Sequence, residues 1–331
     1  MRVALIMNPA SGISPLAAAD GTGEEHEQAI LAALRKYDIE PEVYHTTLED
    51  PGNGLAKQAA KEGAELVIAA GGDGTIHAVA TGLIGTKSTL GIIAIGTMNN
   101  LAHSLSIPDT IEGACEVIAQ GVTHAIDIGV INEHPFIEVA GIGLEAALFP
   151  AAEEIKSPGN LSTIEGIIGA LRTLFTFKPA TLRISLDERR KHPYKAIEVT
   201  ICNSPYYGAH FQVAPGTVMD DGLLDVVIYK NFSKLEYLLQ SALLIYRHQR
   251  PFERKMIHRR VKSLRVEALQ PIAIQVDGSP AGFTPAEVHV LPDALQVRVA
   301  SRNVVGLCGR QATSKTRAKS VQVSTHIRRG V

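Results

Sequence analysis

Residues 71–75 of this 331-residue chain read Gly-Gly-Asp-Gly-Thr, directly after the β-rich run Leu66–Ala70 and directly before the helical spacing of Ile76, Val79, Ala80 and Leu83. Few folds accept that order. A strand that runs into adjacent glycines and reopens as a helix carries bare backbone to a helix N-terminus. Free N–H groups and the positive end of the helix dipole favour phosphate there. The loop is not a dinucleotide fingerprint, because His77 stands where a third glycine is required, and not a Walker loop, because no Gly-Lys-Ser/Thr follows. A tight strand-to-helix turn with Asp73 as its cap is the plainer alternative.

The same order recurs on either side. Val3–Met7 is a short apolar run ending in Asn8-Pro9-Ala10-Ser11-Gly12, and Gly91–Ile95 is another, ending in Gly96-Thr97-Met98-Asn99-Asn100. Glu42–His45 reads as a strand, while Ala29–Tyr37 and Leu55–Glu62 have helical spacing. Strands alternating with helices predict a parallel sheet with helices on both faces, and ligands on such sheets sit at the C-terminal strand ends. All three unusual loops fall there, which is far more specific than any one of them. From about Ile128 the texture becomes β-rich: Phe136–Val139, Thr181–Leu186, Ala196–Ile201, Leu224–Tyr229, Val261–Val266, Ile272–Val276, Glu287–Leu291 and Leu295–Val299. These predict an antiparallel, sandwich-like second domain. Two helical stretches, Leu161–Phe175 and Lys234–Arg247, interrupt it. The apolar face of the first is expected to pack into the core, with a lipid-facing role as the alternative.

Composition narrows the class further. Residues of the AVILMFWYC set make up 45% and charged residues 20%, an ordinary globular balance. The three cysteines, Cys115, Cys202 and Cys308, form no CxxC pair, so neither a disulfide framework nor a cysteine zinc site is expected. No apolar run is long enough to span a membrane. With no signal peptide, the expected location is the cytoplasm, at most peripheral to the inner membrane face. The end of the chain is basic (Arg302, Arg310, Lys315, Arg317, Lys319, Arg328, Arg329) and lacks acids, which reads as a disordered tail rather than a membrane anchor. No basic stripe with interleaved aromatics points to nucleic acid.

At this point the sequence resembles a family. Asn8-Pro-Ala-Ser-Gly12, Gly71-Gly-Asp-Gly-Thr75, Leu90-Gly-Ile-Ile-Ala-Ile-Gly-Thr-Met-Asn99, Asp220-Asp-Gly-Leu-Leu-Asp225 and Val276-Asp-Gly278 occur in the order seen in the diacylglycerol kinase catalytic family, which includes bacterial lipid kinases, sphingosine kinases and ceramide kinases. The resemblance spans about residues 1–300. It implies an α/β nucleotide domain over 1–128, like that of NAD kinases and phosphofructokinases, a β-rich lipid-substrate domain over 129–300 whose last strands return to the first, and a tail over 301–331. It also implies transfer of the γ-phosphate of ATP, with Mg²⁺, to a lipid hydroxyl such as that of diacylglycerol at a membrane surface. Exposed sheet edges leave a homodimer open.

The resemblance assigns residues as well. Gly71, Gly72, Asp73, Gly74, Thr75, Ile76 and His77 would cradle the phosphates with Asn8, Ser11 and Gly12. Thr46 or Thr47, Thr97 and Asn99 would complete the nucleotide site. Asp277 matches the general base. Asp221, with the carbonyls of Val218 and Leu223, matches a structural Mg²⁺ site. Glu145 takes the place of an acid facing the lipid head group. On their own residues, His77 and His103 read as surface or packing histidines, and Ser204-Pro205-Tyr206-Tyr207-Gly208 as loop structure.

Three carboxylates common in the bacterial enzymes are replaced, by Ala78, Asn100 and Ser279. They leave a second reading, a slow or inactive nucleotide- or lipid-binding regulator. An NAD kinase is the third: it shares the glycine loop, but Gly96–Asn99 and Asp220–Asp225 favour the lipid branch.

Overall fold

The computed structural model describes residues 1–9, 23–148, 160–207, 212–247 and 250–301, with main chain only for 160–167 and 245–247. The predicted Ser11, Gly12, Gly208, Cys308 and basic tail from 302 lie outside the described residues.

The first half is β1 (Val3–Met7), α1 (Gly23–Arg35), β2 (Glu42–His45), α2 (Asn53–Lys61), β3 (Leu66–Gly71), α3 (Asp73–Leu83), β4 (Thr89–Ala94), α4 (Asn100–Ser104) and α5 (Ile111–Gln120). Strands β1 to β4 are parallel in the order β2-β1-β3-β4. Strands β1, β3 and β4 are buried almost throughout, as apolar runs covered on both faces must be. The chain leaves β1 toward β2 in one direction and β3 toward β4 in the other. Right-handed crossovers therefore put α1 on one face and α2 and α3 on the other. The observed packing agrees: α2 lies against α3, and α1 against α5. The reversal between β1 and β3 opens a crevice beyond their C-terminal ends. Asn8 and the glycine loop stand at that crevice, tied by Asn8 N–H donating to Ala70 O at 3.2 Å.

The second half is β5 (Val122–Ile131), β6 (His134–Phe136), β7 (Val139–Gly143), α6 (Asn160–Thr176), β8 (Ala180–Leu186), β9 (His192–Cys202), β10 (Leu224–Lys230), α7 (Lys234–Arg247), β11 (Met256–Val261), β12 (Ser263–Ala268), β13 (Ala273–Val276), β14 (Ser279–Phe283) and β15 (Ala286–Val299). Pairing here is antiparallel, and the path β14-β13-β7-β9-β8-β12-β15 runs on into β4. The long β15 joins the halves, antiparallel to β5 and β12 and parallel to β4. The architecture is the expected one: a parallel α/β part and an antiparallel β-rich part.

Four expected strands are divided otherwise. Phe136–Val139 straddles the break between β6 and β7, and Val261–Val266 that between β11 and β12. The runs Glu287–Leu291 and Leu295–Val299 are one strand, whose register with β5 shifts between Leu291 and Leu295. The apolar face of α6 also departs from expectation. Leu174 packs against an aromatic cluster with Tyr229, Phe232 and Tyr237, but Ile168, Leu171 and Phe175 are exposed. A helix with one element beneath it buries one edge of its apolar stripe and leaves the rest in solvent.

Candidate active site

The glycine loop is built for close approach of backbone to backbone. A Cβ on Gly96 would sit 2.5 Å from Gly72 Cα, and one on Gly71 would sit 2.7 Å from Thr75 Cβ. A Cβ on Gly74 would meet nothing within 4 Å, so that side of the loop opens outward. Gly72 precedes α3 without a side-chain cap, which leaves the first turn of the helix to a ligand. A bare N-terminus of this kind fits an anionic phosphate chain.

Asp73 does not face that opening alone. Its Oδ2 accepts from Asn99 N–H at 2.9 Å and its Oδ1 from Asn100 N–H at 2.7 Å, so its carboxylate caps α4 instead of its own helix. Asn99 is left-handed at φ 52°, and its side chain closes a ring with Gly96, accepting from the N–H at 3.1 Å and donating to the carbonyl at 3.0 Å. Thr97 is exposed beside it. Of the two threonines, Thr46 ends β2 beside Met7 and is half-buried near Gly52. The Thr47 hydroxyl instead accepts from Asp50 N–H at 3.1 Å within its own turn.

Asp277 and Gly278 form the two-residue turn between β13 and β14, both with positive φ (44° and 85°) and with Val276 paired to Ser279. An Asp-Gly pair is what such a turn selects. The turn aims the Asp277 carboxylate at the link between β6 and β7. Oδ2 accepts from Ile137 N–H at 2.7 Å, and Oδ1 from the N–H groups of Glu138 at 2.9 Å and Val139 at 2.8 Å. Asn203, fully buried, holds the same link from the other side by donating to Ile137 O at 2.9 Å.

This geometry brings His77 into the centre. Its Nε2 lies 2.9 Å from Glu138 Oε1 and its Nδ1 3.8 Å from Asp277 Oδ2. Burial alone would pull the imidazole down, but the charge of Asp277 and the hydrogen bond to Glu138 outweigh it and lift the ring to about 9. Burial pushes Glu138 up to about 7, against the opposing pull of His77. The expectation of a packing histidine thus gives way to an imidazole gripped between two acids, because α3 carries it under the β6–β7 link. His103, by contrast, packs edge-on against Tyr206, their centroids 4.4 Å apart. Glu138 was missed; the signal for it was a single acid inside the apolar run Phe136–Ile142.

Glu145 is half-buried just after β7. Burial raises its carboxyl, while a hydrogen bond to the Tyr207 side chain opposes the rise. Its N–H donates to Oε2 of the fully buried Glu198 at 2.8 Å. Burial pushes Glu198 well above the carboxylate range, and the neighbouring Glu145 adds to the push. The Tyr207 hydroxyl also feels the charges of Asp277 and Glu138, which links Glu145 to the same centre.

The proposed structural metal site is arranged differently. Asp221 is ion-paired with Arg260, and its Oδ1 accepts from Leu223 N–H at 3.1 Å. Val218 and Leu223 line a cavity of about 910 Å³ beside it. With Asp221 spent on Arg260, the loop does not fit a cation as it stands. Among the described residues no three His, Cys, Asp or Glu side chains gather as a ligand set.

Comparison with known proteins covers both halves of the chain. Residues 2–131 match the diacylglycerol kinase catalytic domain, and residues 138–299 the YegS C-terminal NAD kinase beta sandwich-like domain. A diacylglycerol kinase of Bacillus subtilis is 28% identical over 291 residues, covering 86% of this chain and 92% of its own length. A probable YegS-like lipid kinase of Citrobacter koseri is 28% identical over 287 residues, covering 85% and 94%. The structure of a putative diacylglycerol kinase from Bacillus anthracis superposes with a TM-score of 0.71 at 24% identity, covering 90% and 96%. An NAD kinase from Archaeoglobus fulgidus shares the fold at a TM-score of 0.51 and 13% identity, covering 93% and 98%. Two matched domains in sequence, spanning both halves of the site, make this chain a member of the diacylglycerol kinase catalytic family with a YegS-type C-terminal domain.

Proposed function

We propose that the chain transfers the γ-phosphate of ATP to a lipid hydroxyl, diacylglycerol being the first candidate. One observation carries the reading: Asp277, from a hairpin 200 residues along the chain, lies 3.8 Å from His77 on the very helix that opens at the glycine loop. A phosphate cradle and an acceptor-side carboxylate therefore share one crevice. Phosphoryl transfer asks for little else, because most of the work is positioning and charge neutralisation. The first turn of α3 binds the phosphates, with Asn8, Thr46, Thr97 and Asn99 around the nucleotide. Magnesium, if bound with ATP, would add charge neutralisation on the phosphates. Asp277 receives the hydroxyl proton. A carboxylate offers about four lone-pair sites; three are taken by backbone N–H groups, and the remaining one lies on Oδ2, the oxygen His77 approaches.

The lipid side has support of its own. Ile168, Leu171 and Phe175 on α6 and Leu235, Leu238 and Leu239 on α7 are exposed, and Lys234 Nζ donates to Phe175 O at 2.7 Å where the two helices meet. Arg172 and Lys178 are exposed nearby in sequence. Apolar side chains flanked by cations suit a lipid–water interface, with Glu145 nearer the head group. No helix among the described residues is long and apolar enough to cross a membrane.

A second reading has one observation in its favour. With Ala78, Asn100 and Ser279 in place of acids, and both Asp73 oxygens on backbone N–H groups, the centre is short of free carboxylate oxygens. That suits a regulator that binds ATP without turning it over. Labelled ATP with a panel of lipid hydroxyls in mixed micelles separates the two: label in the organic phase supports the kinase, and bound ATP with unlabelled lipid supports the regulator.

A further inference from the structure

Glu138 and His77 belong to no motif that the resemblance assigns to the proton-accepting side of the site, yet they complete it. Glu138 is 2% exposed, Asp277 11% and His77 15%. Three acids face the His77 ring from three elements: Glu138 from the β6–β7 link, Asp277 from the β13–β14 turn and Asp73 from the start of α3. A polyanionic nucleotide entering such a centre meets like charge on every side unless something cationic stands among the acids. We propose that His77 is that group: a positioning residue, held by Glu138 as an imidazolium, that stands beside Asp277 Oδ2 without taking its free lone pair and offsets the negative charge around the attacking hydroxyl. This rests on the kinase reading and deepens it.

The geometry divides the labour. The bond to Glu138 fixes the ring plane through Nε2, and burial of both partners excludes the water that would screen it. Nδ1 then stands 3.8 Å from the Asp277 oxygen with a lone pair to spare, beyond hydrogen-bond reach, so that lone pair stays open to the substrate hydroxyl. A neutral ring would leave three acids around the incoming nucleotide with no cation among them, and the developing negative charge would lose its counterweight. Phosphate transfer therefore fades as the imidazolium titrates on the alkaline side. Three charges hold that proton in place, so weakening one of them moves the fade to lower pH.

The test is the pH dependence of kcat and KM for lipid phosphorylation by the full chain, with histidine NMR titration of the same protein without substrate. In the unaltered chain kcat should fall through about pH 9 while KM for ATP changes little. Glu138→Gln should bring that limb and the His77 resonance down together, by about one to three pH units. His77→Gln should abolish the limb and lower kcat at pH 7.5 by about a hundredfold, the low end of what a preorganised electrostatic group contributes. Melting curves check that both variants fold, and His77→Asn stands in if His77→Gln does not. A His77 resonance titrating near the ordinary histidine value overturns the proposal, and so does an alkaline limb that survives His77→Gln in an active enzyme. Those results spare the kinase reading. Absence of lipid phosphate from the unaltered chain overturns both.

Discussion

The two sides of the crevice are assembled in opposite ways. The phosphate side is local: Gly71, Asp73, Gly96, Asn99 and Asn100 all lie within thirty residues of one another, and their contacts follow from two adjacent parallel strands ending at one level. The acceptor side is long-range: His77, Glu138, Asn203 and Asp277 come from four separate segments, the last three drawn together by the pairing of β7 with β9 and β13. The first needs glycines, because backbone meets backbone. The second needs buried charge, because carboxylates and an imidazole must be held where water cannot separate them. Substitutions on the two sides should therefore fail differently, in nucleotide affinity on one and in turnover on the other.

The largest effect is expected on the acceptor side. Asp277→Asn should lower turnover by at least about a hundredfold while ATP affinity stays within a few-fold. An amide cannot accept from all three N–H groups, so a loss of stability of about 1–3 kcal/mol should accompany it. Steady-state kinetics with a parallel melting curve separates the two, and a near-normal rate removes Asp277 as the base. On the phosphate side the order reverses. Gly96→Ala drives a methyl group against Gly72 and should weaken ATP binding about tenfold or more, at a cost of about 1–3 kcal/mol in stability from overpacking. Calorimetric titration with ATP reads this, and unchanged affinity would show that the two loops need not touch.

The same contrast governs what was legible in the sequence. The local side was almost wholly readable. Glycines between an apolar run and a helical period can only be a strand-to-helix turn, and three such turns at successive strand ends define an edge. Even there the partner of Asp73 was hidden, because capping a neighbouring helix leaves no trace in spacing. The acceptor side was visible only as residue types. Asp277 was reached only through the resemblance of Val276-Asp-Gly278, and no periodicity says that a hairpin near residue 277 reaches the main chain at 137–139. Glu138 showed only as a lone acid in an apolar run, and neither it nor His77 carried any sign of the other, since their pairing depends on how α3 packs under the β6–β7 link. The aliphatic residues of α6 misled for the opposite reason: helical spacing reports a stripe and does not report whether anything covers it. Asp221 likewise came from the resemblance alone, which gave no sign of its ion pair with Arg260 on β11.

Smaller effects sharpen the comparison. Leu171→Ser with Phe175→Ser removes exposed apolar surface, worth at most about 1.5–3 kcal/mol per side chain if buried in lipid. Vesicle sedimentation should weaken by about tenfold or more, with ATP affinity unaltered; unchanged sedimentation would return the face of α6 to an incidental surface. Stability should also depend on pH through the acceptor side. The His77 value in the fold, about 9, lies above the ordinary one of 6.5, so its contribution is complete below about pH 6.5 and lost as pH rises through 9. Glu138, raised to about 7, works in the same direction, because the folded state holds its proton longer than the unfolded chain does. The melting temperature should accordingly fall between pH 6 and pH 9.5, and His77→Gln should flatten that slope. Asp73→Asn, on the other side, should lower the melting temperature by a few degrees at neutral pH, since it removes one acceptor from the α4 cap.

The central claim is that a local phosphate cradle and a long-range acid–imidazole cluster form one phosphoryl-transfer site. The most direct test is phosphate transfer from labelled ATP to a panel of lipid hydroxyls, run side by side for the unaltered chain and Asp277→Asn, with ATP binding measured on both. The account predicts label in a lipid from the unaltered chain, a loss of about a hundredfold or more in the variant, and ATP bound by both. ATP bound by both with no lipid labelled by either would contradict it, and would make the chain a nucleotide-binding relative of the kinases.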